Sequence, residues 1–285
     1  MSEAPPGDRE ATIWEHMEEL AIRLRRIVIA FFVAATVLSI LPAGKGRLLY
    51  VPLIARFPEL IFQHVVPKTV VSLDGKVYNV TVIPTQTTES IEILAQTLFL
   101  LGFIGASPII AKEIWEYIEP ALYPHEKAFA RKYIALFILA FLFGVFFGIY
   151  LAAPLIEMMF LKLYPLYVPA SFKDQFILKV SVSEVVSFAL KLGLAFGALF
   201  ELPIIIYLLL AYGVVDPNLF NETTMKYIFL GTMVLGAIIS PDPSGLGMLL
   251  IGFSLYIPIY IAVRLGKKRA VERKVANELK ALVES

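Results

Sequence analysis

Glu201 is the first residue here whose setting demands chemistry. It sits in Leu199-Phe-Glu-Leu-Pro203, inside a long apolar run, where a carboxylate costs about 3 kcal/mol on insertion scales and calls for a partner or a wet cavity. Lys191 precedes it on the same helix by roughly 15 Å of rise, too far to pair directly. Two readings stay open. Glu201 is a protonated acid bonded to backbone released by Pro203, or it is a docking point for a polar residue of another membrane helix. Glu19 and Glu126 pose a second question, because both fall near clusters of basic residues at the predicted inner surface. Glu19 suits an i,i+4 pair with Arg23, and Glu126 suits a solvated charge beside Lys127 and Arg131. Either carboxylate could instead receive a cation from outside. His16 lies three residues before Glu19, a spacing compatible with a metal, but no second cluster joins it. His64 and His125 also fall outside the apolar runs.

Several chemistries are excluded. The chain has no cysteine, so disulfides, thiolate metal sites and cysteine nucleophiles are ruled out. There is no Walker-type phosphate loop. No aspartate pair, serine–histidine arrangement or zinc motif lies in the apolar runs. The reading is not an enzyme, with no cofactor and no metal. A net charge of +1 gives no reason to expect nucleic acid as a partner.

The elements that must carry these residues are membrane helices. Hydrophobic residues make up 58% of the chain and charged ones 17%, below the quarter usual for soluble domains. A span needs roughly 20 apolar residues, and six stretches approach that: Ile27–Ala43, Ser90–Ala111, Tyr133–Leu155, Val185–Leu210, Tyr227–Ser240 and Gly245–Val263. The fifth is the shortest and must run past those bounds or sit where the bilayer thins. Lys and Arg fall two to one on the side that holds the termini, which places both ends inside. No cleavable signal peptide is visible, so the first span serves as its own insertion signal.

The expected fold is therefore an all-α, six-span membrane domain over residues 1–285, with a charged tail from 264. Thr12-Ile-Trp-Glu15 is a capping-box pattern. It opens an amphipathic helix, with Ile13, Met17, Leu20 and Leu24 on one face, that lies on the inner surface before turning into the first span. Asp74-Gly75, between β-branched runs, predicts a hairpin in the long first outer loop. Ser181-Val-Ser-Glu184 predicts a cap on the fourth span. Gly144-x-x-x-Gly148 and Gly193-x-x-x-Gly197 permit close helix packing within the bundle.

The stretch Ala106-Ser-Pro-Ile-Ile-Ala-Lys-Glu-Ile-Trp-Glu-Tyr-Ile-Glu-Pro-Ala-Leu-Tyr-Pro-His-Glu126 closely resembles the signature block of the TatC family, the core subunits of twin-arginine protein translocases. Pro108, Trp115, Pro120 and Tyr123 are its fixed points. His16-Met-Glu-Glu-Leu20 resembles the family's amino-terminal H-x-x-E-L, and Pro52 matches a proline of the first outer loop. Phe200-Glu-Leu-Pro203 resembles the F-E-x-P of the fourth span, and Ser240-Pro-Asp242 the turn before the last. The sequence departs from the family pattern at Ala21, Pro124 and Leu246, and in the missing second proline after Ser240. It also lacks the glutamate common near the inner end of the last span.

The resemblance implies a concave bundle that binds paired-arginine signal peptides of folded precursors on its cytoplasmic face. It implies recruitment of single-span TatA/TatB-type subunits into a hetero-oligomer driven by the proton-motive force; the charged tail and long outer loop point to the cell membrane of a prokaryote. Carried over, Glu19 and Glu126 meet the arginine pair, with Tyr117 and His16 on the same surface. Glu201, beside Pro203, contacts a partner's helix. The alternative from another class is a secondary transporter of a small solute, which would need midplane charge pairs or inverted halves.

Overall fold

The computed structural model describes residues 13–45, 50–73, 75–118, 124–172, 176–240 and 245–284. Helix α1 (Ile13–Ile40) leads into two short paired strands, β1 (Pro42–Lys45) and β2 (Tyr50–Pro52), and then α2 (Leu53–Val65). Strands β3 (Thr69–Val71) and β4 (Val77–Val82) precede the long α3 (Glu89–Ile118). After it come α4 (Pro124–Phe147), a π-turn at Gly148–Ala152 and α5 (Ala153–Leu163). Strand β5 (Leu178–Val180) leads into α6 (Val182–Leu199) and α7 (Glu201–Ala211), which are followed by α8 (Glu222–Ile239) and α9 (Leu246–Glu284).

Among the described residues, five helical stretches are long and apolar enough to cross a membrane: Glu89–Glu116, Ile134–Tyr167, Val182–Ala211, Glu222–Ile239 and Leu246–Val275. They coincide with the second to sixth expected spans. The fifth starts at Glu222 rather than Tyr227, because Asn221 caps it by accepting a hydrogen bond from Thr224 N at 2.9 Å. α1 is not among the five. Arg23, Arg25 and Arg26 interrupt it, and the uncharged stretch Ile27–Ile40 rises only about 21 Å. α1 also runs without a break from Ile13, so the expected turn between a surface helix and a first span is not seen. No glycine or proline stands in that stretch to create one. α9 likewise continues as helix through the charged tail to Glu284.

The chain packs as two compact units. One comprises Met1–His64, Val82–Leu142 and Lys179–Leu190, and the other Val65–Thr81, Phe143–Leu178 and Lys191–Ser285. In the first, α1 lies along α3 in the opposite direction, as the pairs Phe31–Gly102 and Arg23–Glu113 show. A Cβ on Gly102 would fall 2.6 Å from the Phe31 ring, and one on Gly105 2.8 Å from Ala34. These glycines let the helices close, and Phe31 makes edge contacts with Phe99 and Phe103.

In the second unit, the two predicted glycine motifs pack on one another. A Cβ on Gly144 would meet Phe196 O at 2.4 Å, and one on Gly148 would meet Leu192 O at 2.6 Å. α7 and α9 share a core of Leu210, Ile259 and Val263. Gly236 lets α8 approach Met248 on α9. β3 and β4 form the expected hairpin, with Val70 opposite Tyr78 and Gly75 at φ +81° in the turn. Asp74 itself lies outside the described residues.

Candidate functional site

The first unit gathers its charges where the N-terminal half of α1 meets the C-terminal end of α3. Both helices supply charge at i,i+3 spacing, Arg23 and Arg26 on one, Glu113 and Glu116 on the other, so each pair shares a face. Arg23 is the hub. Its Nη2 and Nε donate to a single oxygen, Glu19 Oε1, at 2.5 and 3.2 Å. Its Nη1 lies 3.6 Å from Glu113 Oε2 and 3.5 Å from Glu116 Oε2. The Glu19 carboxylate raises the Arg23 guanidinium above its ordinary value through this hydrogen bond, against a smaller opposing effect of burial.

The three carboxylates differ in exposure. The Glu113 side chain is only 5% exposed, whereas those of Glu19 and Glu116 are 45% and 34% exposed. Arg26 reaches Glu113 at 3.4 Å and Lys112 reaches Glu116 at 3.5 Å, both from exposed positions. Glu113 Oε2 is buried and accepts no hydrogen bond among the described residues. Two N–H groups of one fork engage a carboxylate together, which a point-charge ammonium cannot reproduce.

The N-terminal end of α3 carries a second acidic cluster of a different kind. Glu89 is buried and accepts from Thr85 N, Thr85 Oγ1, Gln86 N and Ser181 Oγ. Glu92 accepts from Gln96 Nε2 at 2.9 Å, Ser183 Oγ at 3.2 Å and Ser187 Oγ at 3.4 Å. Ser181 also receives Glu184 N at 3.5 Å, the cap expected from Ser181-Val-Ser-Glu184.

Glu201 opens α7 just after the chain leaves α6 at Phe200. Its Oε2 is buried and accepts no hydrogen bond among the described residues, so a bond to backbone released by Pro203 is not seen. The preceding residue, Phe200, packs against Phe143, Phe147 and Phe196. Pro203 stands in the first turn of α7, where a missing N–H is tolerated. No group of three potential metal ligands occurs among the described residues.

Of the remaining sequence candidates, Trp115 is buried and Pro108 lies exposed within α3. Pro52 ends β2 opposite Pro42. His16 and Tyr117 fall in α1 and α3 and Glu126 in α4, with side chains outside the described residues. Pro120, Tyr123 and Asp242 lie outside them altogether. Sequence reasoning missed Glu113 and Glu116 as partners of Arg23. The legible signal was a pair of acids at i,i+3 matching a pair of arginines at i,i+3 on another helix.

The family model described as Sec-independent protein translocase protein (TatC) matches residues 15–253. A TatC protein of Aquifex aeolicus is 32% identical over 263 residues, covering 91% of this chain and 96% of that protein. The TatC protein of Escherichia coli is 25% identical over 248 residues, covering 87% and 85%. A crystal structure of the twin-arginine translocase receptor TatC superposes with a TM-score of 0.66 at 30% identity, covering 90% of this chain and 99% of that one. A second, in the detergent DDM, gives 0.69 with 89% and 100% covered.

Proposed function

The chain belongs to the TatC family of Sec-independent protein translocase proteins, and we propose that it is the receptor subunit that binds paired-arginine signal peptides of folded precursors. As a family member it is a multi-pass component of a protein translocase, not an enzyme. The observation that carries the receptor reading is the grip of Glu19 on a guanidinium through two N–H groups. That is the contact a signal-peptide arginine requires, made by carboxylates that stand among basic residues.

In this reading the chain is a single six-span domain with a charged tail. α1 supplies the first span, assisted at its charged end by the α3 carboxylates, and both ends lie in the cytoplasm of a prokaryote. Glu19 and Glu126 receive the arginine pair, with His16 and Tyr117 beside them. Single-span TatA/TatB-type subunits dock where Glu201 lacks a hydrogen-bond donor, and the proton-motive force drives export. A buried Glu201 Oε2 with no donor among the described residues supports a partner that brings one, since burying a polar group without one is costly.

The test is binding of an Arg-Arg signal peptide to the purified full-length protein carrying Glu19→Ala and Glu126→Ala together. Loss of binding with normal membrane insertion is expected, and unimpaired binding would refute the assignment. Glu201→Ala should abolish capture of a single-span subunit without affecting the peptide.

A further inference from the structure

The carboxylate site on α1 and α3 is already occupied by a guanidinium, that of the chain's own Arg23. Both of the N–H groups that Arg23 directs at Glu19 converge on Oε1. No described residue donates to Oε2, on a side chain 45% exposed. On α3 the fit is looser. Nη1 approaches Glu113 and Glu116 at 3.6 and 3.5 Å, against the 2.7–2.9 Å typical of a charge-assisted hydrogen bond. Glu113 Oε2, 5% exposed as a side chain, accepts no hydrogen bond at all among the described residues. A buried acceptor left unsatisfied beside a cation is costly in the resting state, and a better-seated donor would relieve it.

We infer that Glu113 and Glu116 extend the Glu19 site into a three-carboxylate guanidinium site, and that a paired-arginine ligand binds by displacing Arg23 from Glu19. Arg23 is thus a resident occupant. It neutralises the acids while no ligand is bound, and it sets a threshold that a lysine ligand fails to pass. An ammonium cannot match the fork it would replace. When displaced, Arg23 keeps Glu113 as counter-charge, so neither group is stranded. Arg26 and Lys112, exposed at the rim, pair with the same two acids and compete less because water already solvates them. This inference rests on the receptor reading and specifies how that site discriminates.

The test measures Kd for an Arg-Arg and a Lys-Lys signal peptide on the full-length protein in lipid nanodiscs, for the parent, Arg23→Gln and Arg23→Lys. Arg23→Gln should bind the Arg-Arg peptide about five-fold tighter, and Arg23→Lys about two-fold tighter, because lysine holds Glu19 less firmly. Arg23→Lys keeps the charge beside Glu113 and decides the matter if Arg23→Gln fails to fold. Glu116→Gln should weaken the parent's Arg-Arg affinity about three-fold by removing one acceptor. Exchange is overturned if neither Arg23 variant tightens binding while the parent still prefers arginine and loses that preference on Glu19→Ala; the receptor reading then survives alone. A parent with no arginine preference overturns both.

Discussion

The two ends of α3 both hold carboxylates, and they treat them differently. At the N-terminal end, Glu89 and Glu92 are met by backbone N–H groups, by the hydroxyls of Thr85, Ser181, Ser183 and Ser187, and by the amide of Gln96. These donors are neutral and are set by the backbone or by short side chains. At the C-terminal end, Glu113 and Glu116 are met by Arg23, Arg26 and Lys112, long cationic side chains at 3.4–3.6 Å. Short neutral donors fix a carboxylate and hold elements together, here α3 to the start of α6. Long cationic donors at loose distances can be exchanged for another cation. In the receptor reading proposed above, the first end holds the fold and the second is the one that binds.

The largest expected effect follows from reversing charge at the binding end. Glu19→Lys should reduce Arg-Arg peptide affinity about 100-fold, the loss of one charge-assisted pair, as read by calorimetry. Next is salt. Raising NaCl from about 0.05 to 0.5 M should weaken the same peptide about ten-fold, because the half-exposed carboxylates are screened, while thermal stability changes little. At the fold-holding end, Ser181→Ala removes a bond to Glu89 and the cap on α6. It should cost about 1 kcal/mol in denaturant unfolding and leave the peptide Kd within about two-fold. The smallest effect belongs to Glu92→Gln, which keeps an acceptor for the serines. It should alter peptide binding less than about two-fold, and a larger loss there would erase the distinction between the two ends.

What could be read from the sequence followed from local spacing. The Glu19–Arg23 pair, the cap at Ser181, the turn at Gly75 and the facing glycine motifs each depend on residues a few positions apart, or on small residues that leave only close packing as an option. Spans two to six were legible from apolar length, although Asn221 shows that a cap moves a boundary that hydropathy alone sets too late. What was not legible needed two helices placed side by side. Glu113 drew no reading from the sequence, because only α1, running antiparallel, brings Arg23 to it across 90 positions. The turn expected before the first span is absent for a local reason: with no glycine or proline, the charged and apolar stretches of α1 join in one helix.

The central claim, that Glu19 on α1 and the carboxylates at the end of α3 select paired arginines, is tested most directly by one ratio. It is the Kd for a Lys-Lys signal peptide divided by that for the Arg-Arg peptide, measured in nanodiscs on the parent and on Glu19→Gln. The account predicts a ratio of about ten or more in the parent, falling toward one in the variant, since the fork contact is worth about 1.5–3 kcal/mol. A parent ratio of one, or a high ratio unchanged by Glu19→Gln, would contradict it.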